Sequence, residues 1–381
     1  MSLPLFPVTT VGSWPRPRDV GEAMRAYRRG RIERAERDRV ADGAVIELLR
    51  LQESLGCDIV TDGELRRDNF YSFVADKLSG VRLMTLAEML DVVEDKAGFE
   101  QILQTLDVPA YAISSPVCTA RIDRREPLTV DDLTFARRHT DLPIKVTLPG
   151  PYLLTRAMYV PELTGPYYAD KEALAKDVVA LLRAELEELR SAGAEFVQLD
   201  EPVLTEVAFA PGRTRTFMCA ALAARSDPAE ELEFATSLIN QVVEGIDGLR
   251  LGLHVCRGNW SRDETTLLSG GYQALRPYLD RLHVTQLVLE YATERAGTLM
   301  AFEGKELGLG VVNPRTEQVE TLAKIRSAVE AALKLYPAER VFLNPDCGFG
   351  TFSSRPMNTR EMASAKVAAM AAAARDLRGS L

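Results

Sequence analysis

The chain has few of the features that mark nucleic-acid-binding or membrane proteins. Lysine and arginine number 46 against 55 aspartate and glutamate residues, which gives a net charge of -9. Because nucleic-acid binders need surplus basic side chains to displace counterions from phosphates, this balance predicts no nucleic-acid partner. No apolar run reaches the length of a membrane span, and the N-terminus lacks a basic stretch followed by an apolar one. We therefore expect a cytoplasmic protein that contacts no membrane and binds small molecules.

Cysteine is scarce as well. The five cysteines are an odd number, are widely spaced, and occur in a long chain without a signal peptide. This pattern indicates reduced thiols rather than a disulfide framework, and it leaves metal ligation open for some of them. They are Cys57, Cys118, Cys219, Cys256 and Cys347.

The glycine-rich turn of dinucleotide-binding proteins is also missing. Residues 12–17, which follow the first apolar run, contain too few glycines and too many prolines for that turn. This composition disfavours a doubly wound sheet.

Short apolar runs alternate with helical stretches along the chain, a rhythm typical of βα units. Eight such units would close a TIM-type (β/α)8 barrel, which is the α/β fold we predict. The eight runs cover residues 8–11, 58–60, 144–147, 196–199, 249–254, 286–289, 307–312 and 340–343. Residues 172–192 carry apolar side chains at helical spacing and are predicted to pack outside the barrel.

Two segments depart from this rhythm. Residues 110–122 contain a Ser-Ser-Pro break, and we interpret them as a hairpin insertion or an irregular barrel strand. Residues 83–106 are predicted to form helices inserted beside the barrel mouth. No linker or low-complexity tract interrupts the sequence, so we expect residues 1–381 to form one barrel domain.

Polar residues occur where the apolar runs stop. In a TIM barrel the carboxyl ends of the strands face one mouth, and active sites lie there. The residues at these positions are Ser13, Glu64, Asp200, Glu201, His254, Cys256, Glu290 and Cys347. We expect them to face the same mouth.

His254 and Cys256 are two residues apart at the end of a strand, so their side chains share a face and can bind one metal ion. Glu290 and Cys347 would arrive from later strands. Two sulfurs, one imidazole nitrogen and one carboxylate oxygen suit Zn²⁺, which accepts mixed ligands tetrahedrally. A buried cysteine can equally be an ordinary core residue. The cysteines and histidines that we interpret as structural are Cys57, Cys118, Cys219, His139 and His283.

The acidic residues after two of the strands also have a purely structural interpretation. Carboxylates in Asp200-Glu201-Pro202 can cap a helix N-terminus, and we expect one of the two to do so. Residues 344–346 can be turn residues that fix their loop.

At these residues the chain resembles the C-terminal catalytic barrel of cobalamin-independent methionine synthase. The matching stretches occur in family order and span nearly the whole chain: residues 9–13, 62–64, 148–151, 198–202, 254–256, 289–290 and 344–348. The resemblance implies a zinc ion held by His254, Cys256, Glu290 and Cys347. Coordination would remove the proton from a substrate thiol and leave a sulfur nucleophile that attacks the donor's methyl carbon.

The resemblance further implies that the thiol is homocysteine, gripped near Ser13, Glu64 and Asp200. Two carboxylates around a pocket need a cation, which an amino acid's ammonium supplies, so Glu64 and Asp200 are also the predicted catalytic residues. Three arginines can receive a carboxylate or a sulfonate: Arg66, Arg67 and Arg315. We count Arg315 among the substrate-binding residues.

The chain also departs from the family pattern. Full-length members carry an N-terminal barrel that helps to bind polyglutamylated folate, and we expect none here. A tryptophan is missing from residues 153–158, and a histidine is missing from residues 312–315. Residues 256–259 and 290–297 look more like short relatives, which include core methionine synthases and epoxyalkane:coenzyme M transferases. The methyl donor is therefore left open between a folate and a methyl-corrinoid protein.

We predict an enzyme like 5-methyltetrahydropteroyltriglutamate–homocysteine S-methyltransferase, which makes methionine and so belongs to methionine biosynthesis. A competing hypothesis is alkylation of coenzyme M by an epoxide, which would leave Glu64 and Asp200 without an ammonium. The same residues also allow a non-catalytic zinc- or thiol-binding barrel, or a metal-free barrel related to uroporphyrinogen decarboxylase.

Overall fold

The computed structural model describes residues 3–92, 114–209, 227–352 and 355–380. The strands are β1 Leu78–Thr85, β2 Ser114–Arg124, β3 Lys145–Pro149, β4 Phe196–Asp200, β5 Arg250–Val255, β6 Gln286–Leu289, β7 Glu306–Val312 and β8 Val341–Pro345. The α-helices are α1 Arg18–Arg28, α2 Arg34–Leu55, α3 Val74–Lys77, α4 Leu86–Val92, α5 Val130–Ala136, α6 Pro151–Met158, α7 Pro161–Thr164, α8 Lys171–Ser191, α9 Val203–Phe209, α10 Pro228–Val243, α11 Arg276–Leu279, α12 Leu322–Ala332 and α13 Arg360–Ser380.

Strands β3 to β8 form one parallel sheet in sequence order. Two short segments complete the barrel wall between its edges. Val8 pairs in parallel with Leu343 of β8, and Val60 pairs in parallel with Ile144 beside β3. The amide of Asp58 donates to the carbonyl of Val8 over 2.9 Å, which joins the two segments. The chain is therefore an α/β TIM barrel, and the predicted fold class is confirmed.

An antiparallel hairpin of β1 and β2 stands apart from the barrel sheet. The segment at residues 114–122 is thus a hairpin strand rather than an irregular barrel strand, while residues 110–113 lie outside the described ranges. The helical prediction for residues 83–106 was wrong at residues 83–85, because these pair with Ser114, Ser115 and Pro116 as part of β1. It holds for α4, and residues 93–106 are not among those described.

Helix α8 illustrates how the outer layer forms. Asp170 caps its first turn by accepting a hydrogen bond of 2.7 Å from the amide of Ala173. The face formed by Leu174, Val178 and Leu182 is buried, and each such side chain contributes about 1.5–3 kcal/mol of apolar burial. The helix predicted at residues 172–192 is confirmed. Within the described residues, no helix combines the length and the apolar character needed to cross a membrane.

The barrel interior changes in character from one end to the other. Near the amino ends of the strands, Ile59, Phe196 and Phe342 form a small apolar cluster. Further along, Gln198 donates 3.0 Å to the carbonyl of Val11 and 2.8 Å to Oδ1 of Asp200. The interior thus becomes polar toward the carboxyl ends of the strands, where the candidate site lies.

Candidate active site

A pocket opens at the carboxyl ends of the barrel strands. It brings together six of the residues that the sequence placed at strand ends: Ser13, Glu64, Asp200, His254, Cys256 and Cys347. The other residues that line it are Val11, Phe70, Pro202, Gly258, Asn259, Trp260, Gly348 and Thr351. Glu290 and Arg315 are not part of this lining.

Three side chains in the pocket form a candidate metal centre. One ligand atom each from His254, Cys256 and Cys347 lies within 4.8 Å of the others. His254 Nδ1 lies 3.2 Å from the carbonyl of Val288, a contact that suits Nδ1–H as the donor. Nε2 is buried and, among the described residues, has no partner at ordinary hydrogen-bond geometry, so a metal could bind there in place of a proton. This donor set fits Zn²⁺.

The thiols of Cys256 and Cys347 form a hydrogen bond with each other, which shifts their pKa values in opposite directions. The pKa of Cys256 falls well below its ordinary value, mainly because Cys347 hydrogen bonds to it; burial opposes the shift and His254 adds to it. The pKa of Cys347 rises well above its ordinary value, because it donates that hydrogen bond and is desolvated. A metal that binds both sulfurs would replace the proton of this hydrogen bond.

Glu290 lies apart from the other three proposed ligands and is surrounded by arginines. Its Oε1 is 3.4 Å from Arg315 Nη1, and its Oε2 is 3.6 Å from Arg257 Nη1 and 3.7 Å from Arg295 Nη2. It does not belong to the group whose ligand atoms lie within 4.8 Å of one another. Arg315 thus contacts a proposed metal ligand, and its Nη2 lies 3.7 Å from Asp346 Oδ2.

Glu64 and Asp200 are buried carboxylates on the pocket wall. Glu64 Oε1 accepts a hydrogen bond of 3.0 Å from Thr147, while its Oε2 has no partner within the described ranges. Burial raises the pKa of Asp200 to about 7, and Glu64 and Cys256 add to the shift while His254 and Gln198 oppose it. The pKa of Glu64 is also raised by burial, although Arg67 opposes this. Both would be stabilised by an added cation.

Ser13 follows the barrel segment that contains Val8, and it contacts the loop after β8. Its Oγ accepts a hydrogen bond of 2.9 Å from the amide of Thr351. Gly348 packs so closely that an added Cβ would lie 2.0 Å from Ser13 Oγ, so only glycine fits there. This contact places the residue after Cys347 against the proposed substrate residue Ser13.

The other two arginines considered for an anionic substrate bind elsewhere. Arg66 forms ion pairs with Asp42 and Asp132 and is not part of the pocket lining. Arg67 Nη1 donates to the carbonyl of Thr147 over 2.9 Å. Neither side chain is part of the pocket lining.

The helix-cap interpretation of Asp200-Glu201-Pro202 is confirmed for Glu201. Its carboxylate accepts hydrogen bonds from the amides of Tyr152, at 2.7 Å, and Leu153, at 3.0 Å, in the first turn of α6. The capped helix follows β3 rather than β4. Asp346 fixes a neighbouring loop in a similar way, because its Oδ1 accepts from the amides of Tyr291 and Ala292.

Sequence reasoning did not assign a role to several pocket residues. Phe70 and Thr351 lie in loops, and no signal in the sequence distinguished them. Asn259 lies in the Cys-Arg-Gly-Asn stretch that was noted only as a likeness to short relatives. Glu64 and Thr351 have positive φ angles of 54° and 28°, a backbone strain that concentrates at functional sites.

Comparison with known sequences places the chain in a family. The model of the cobalamin-independent synthase catalytic domain matches residues 6–376. A methionine synthase of Saccharolobus solfataricus is 29% identical over 359 residues, which cover 93% of this chain and 91% of the relative. A methionine synthase of Pyrococcus furiosus is 28% identical over 385 residues, covering 100% of this chain and 95% of the relative.

Solved structures agree on the fold. A B12-independent methionine synthase from Shewanella sp. W3-18-1, in complex with selenomethionine, has a TM-score of 0.73 at 22% identity and covers 99% of this chain and 98% of its own. A putative vitamin-B12-independent methionine synthase from Listeria monocytogenes has a TM-score of 0.70 at 19% identity, with 99% of each chain covered. The chain therefore belongs to the cobalamin-independent synthase family, through its catalytic domain, and is a methyltransferase.

Proposed function

We propose that this protein transfers a methyl group to the sulfur of homocysteine and forms methionine, with zinc as its metal. The proposal rests on one observation: a set of metal ligands and a pair of buried carboxylates line the same pocket. His254, Cys256 and Cys347 offer metal ligands within 4.8 Å of one another, and the buried carboxylates of Glu64 and Asp200 line the same space. A thiol and an ammonium on one small molecule match these two groups.

The residues that would hold the zinc are His254, Cys256, Cys347 and, on the family resemblance, Glu290. When bound there, zinc would lower the pKa of a coordinated thiol and so supply a sulfur nucleophile at neutral pH. The protein side chains supply orientation. The carbonyl of Val288 fixes the ring of His254 so that Nε2 is available to the metal.

Glu64 and Asp200 would bind the homocysteine ammonium, and Ser13 lies on the same pocket wall. An ammonium would give both buried carboxylates a directly bonded cation. The Shewanella relative was solved with selenomethionine, an amino acid of the product's shape, which supports an amino-acid ligand here. The binding energy would hold the sulfur beside the metal ligands, which lowers the entropic cost of reaction.

Alkylation of coenzyme M fits the pocket less well. A sulfonate needs a cation, but the three candidate arginines, Arg66, Arg67 and Arg315, are paired with acidic side chains or a backbone carbonyl. Coenzyme M would also bring no ammonium to bind Glu64 and Asp200. The whole proposed site lies within the matched range 6–376, so one barrel contains every residue that the proposal requires. The donor is a folate or a methyl-corrinoid.

The proposal is tested by zinc analysis and by an assay of methionine formation from homocysteine with each methyl donor in parallel. We expect about one zinc per chain, and loss of most of it in Cys256→Ser and Cys347→Ser, because a neutral hydroxyl replaces an anionic soft ligand. Cys118→Ser is the matched control, because Cys118 is buried away from the pocket. Wild-type zinc content in both ligand variants, or no methionine from any donor, would refute the proposal.

A further inference from the structure

Asn259 connects the two halves of the proposed metal site. It is buried on the pocket wall, where its side chain contacts three other parts of the site. Its Nδ2 donates 2.7 Å to the carbonyl of Gly348 and 2.6 Å to Oγ1 of Thr351. Its Oδ1 accepts a hydrogen bond of 3.2 Å from Nη1 of Arg315. Both polar atoms of this amide side chain are thus used within the site.

The Nδ2 contacts act on the loop that carries Cys347. Gly348 is the residue that follows Cys347, so the bond to its carbonyl restricts the peptide unit beside the proposed sulfur ligand. The bond to Thr351 holds the same loop three residues later, at a backbone with a φ of 28°. The amide of Thr351 in turn donates to Ser13. These contacts add to the backbone bonds that Phe349 and Gly350 donate to the carbonyl of Ser13, and the bond to Gly348 acts on the peptide unit directly after Cys347.

The Oδ1 contact acts on Glu290 through Arg315. The same Arg315 Nη1 that donates to Asn259 lies 3.4 Å from Glu290 Oε1. Arg315 is fully buried, so its position depends on such contacts. The side-chain amide of Asn259 therefore connects the loop of Cys347, which follows β8, with the carboxylate of Glu290, which follows β6.

We propose that Asn259 is a positioning residue that sets the geometry of the metal centre by holding the Cys347 loop and Arg315 in register. This inference rests on the proposed function. Replacement of a residue that orients metal ligands lowers metal affinity by about 10- to 100-fold. Asn259 touches neither a ligand atom nor a reacting atom, so we do not class it as catalytic.

The test measures zinc affinity by competition with a chromophoric chelator, together with the absorption spectrum of the Co²⁺-substituted protein. Asn259→Ala should weaken zinc binding by about 10-fold or more and alter the Co²⁺ spectrum. Asn240→Ala is the matched control, because this asparagine also ties a loop through both amide atoms, to Arg281 and His283, outside the pocket. It should leave both measurements unchanged.

A second pair of variants keeps the test decisive if Asn259→Ala does not fold. Thr351→Val removes the hydroxyl that Asn259 binds but keeps the shape, whereas Thr351→Ser keeps the hydroxyl and removes a methyl group. We expect weaker zinc binding in Thr351→Val and wild-type affinity in Thr351→Ser. A role in packing alone predicts the reverse order.

The outcomes separate the inference from the function on which it rests. If wild-type protein binds zinc but Asn259→Ala matches it in affinity and spectrum, or Thr351→Val equals Thr351→Ser, the positioning role is overturned and the proposed function stands. If wild-type protein binds no zinc, both are overturned.

Discussion

Two buried carboxylates favour a thiol that also carries an ammonium, a selectivity that the metal ligands alone would not provide. Neither Glu64 nor Asp200 has a basic side-chain nitrogen within 4 Å among the described residues, although Arg67 partly stabilises the charged form of Glu64 and His254 that of Asp200. Burying a carboxylate without a partner is costly, and the raised pKa of each reflects this cost. An ammonium would offset it, whereas an amine-free thiol would not.

The first prediction compares homocysteine with 4-mercaptobutanoate, which has the same chain, thiol and carboxylate but no amine. Asp200→Asn should weaken homocysteine binding by about 10- to 100-fold, as expected for loss of a charged hydrogen bond. It should change 4-mercaptobutanoate binding little. Calorimetry with the zinc-loaded protein measures both. Equal losses for the two thiols would show that Asp200 serves the fold.

The second prediction concerns pH and uses methionine, which binds without releasing a thiol proton. Burial raises the pKa of Asp200 to about 7, and the ammonium prefers the ionised form. Below pH 7 binding must therefore expel a proton, so the Kd should rise by up to about tenfold per pH unit. Above that pH the Kd should level off.

The control for the pH experiment is Asp200→Asn, which cannot ionise. Its Kd for methionine should be higher at pH 8 and should change less on acidification, with a residual slope from Glu64, whose pKa is also raised. A titration profile identical to that of wild-type protein would exclude Asp200 as the group that binds the ammonium.

At the scale of elements, the parallel strands were predictable because they are buried on both faces and read as continuous apolar runs. Strand β6 matches its predicted range, Gln286–Leu289, and β4 differs from its range by one residue. The shared location of the polar residues after these strands was predictable because the carboxyl ends of all barrel strands face one mouth. The sequence alone therefore predicted much of the wall of the pocket.

Several further features depend on contacts between distant segments and could not be predicted. The contacts of Glu290 with Arg257 and Arg315 join it to the connections after β5 and β7, which meet only in the folded barrel. The hairpin was ambiguous because its pairing partner, β1, is remote in sequence. The sequence indicated that Asp200 or Glu201 caps a helix, but it did not show that the capped helix is α6, which precedes both residues in the chain.

The third prediction tests that cap. Glu201 accepts hydrogen bonds from Tyr152 and Leu153, so Glu201→Ala would leave two buried amides without partners. We expect the free energy of unfolding to fall by about 2 kcal/mol. Urea unfolding measures this change. Glu187→Ala on the exposed face of α8 should have little effect, and a similar loss in both variants would contradict the capping role.

At the scale of the whole molecule, the family match covers residues 6–376. The resemblance seen in the sequence leads us to expect a tryptophan and a histidine at two positions of the barrel where this chain has neither. Residues 153–158, where a tryptophan was expected, belong to α6 and are largely buried. Asn313 and Arg315 occupy the segment where a histidine was expected. Their side chains contact Glu264 and Glu290 rather than the pocket.

These two departures bear on the methyl donor. A flat pterin loses about 1 kcal/mol beyond simple burial when a stacking ring is missing. A methyl-corrinoid needs no such ring and carries a more reactive methyl group, and when it is held on a protein it brings its own binding surface. The strand-end ligands and the carboxylates for homocysteine would serve either donor, so the choice of donor depends on contacts that the donor makes beyond these residues.

The last prediction is that methylcobalamin methylates homocysteine faster than methyltetrahydrofolate does in the presence of this protein. Both donors are compared at equal concentration with zinc-loaded protein, and methionine is measured over time. Cys347→Ser serves as the control for uncatalysed transfer, because it removes a proposed zinc ligand and should reduce both rates to background. Saturable and efficient turnover with methyltetrahydrofolate in the unmodified protein would show that different pocket residues replace the missing ring.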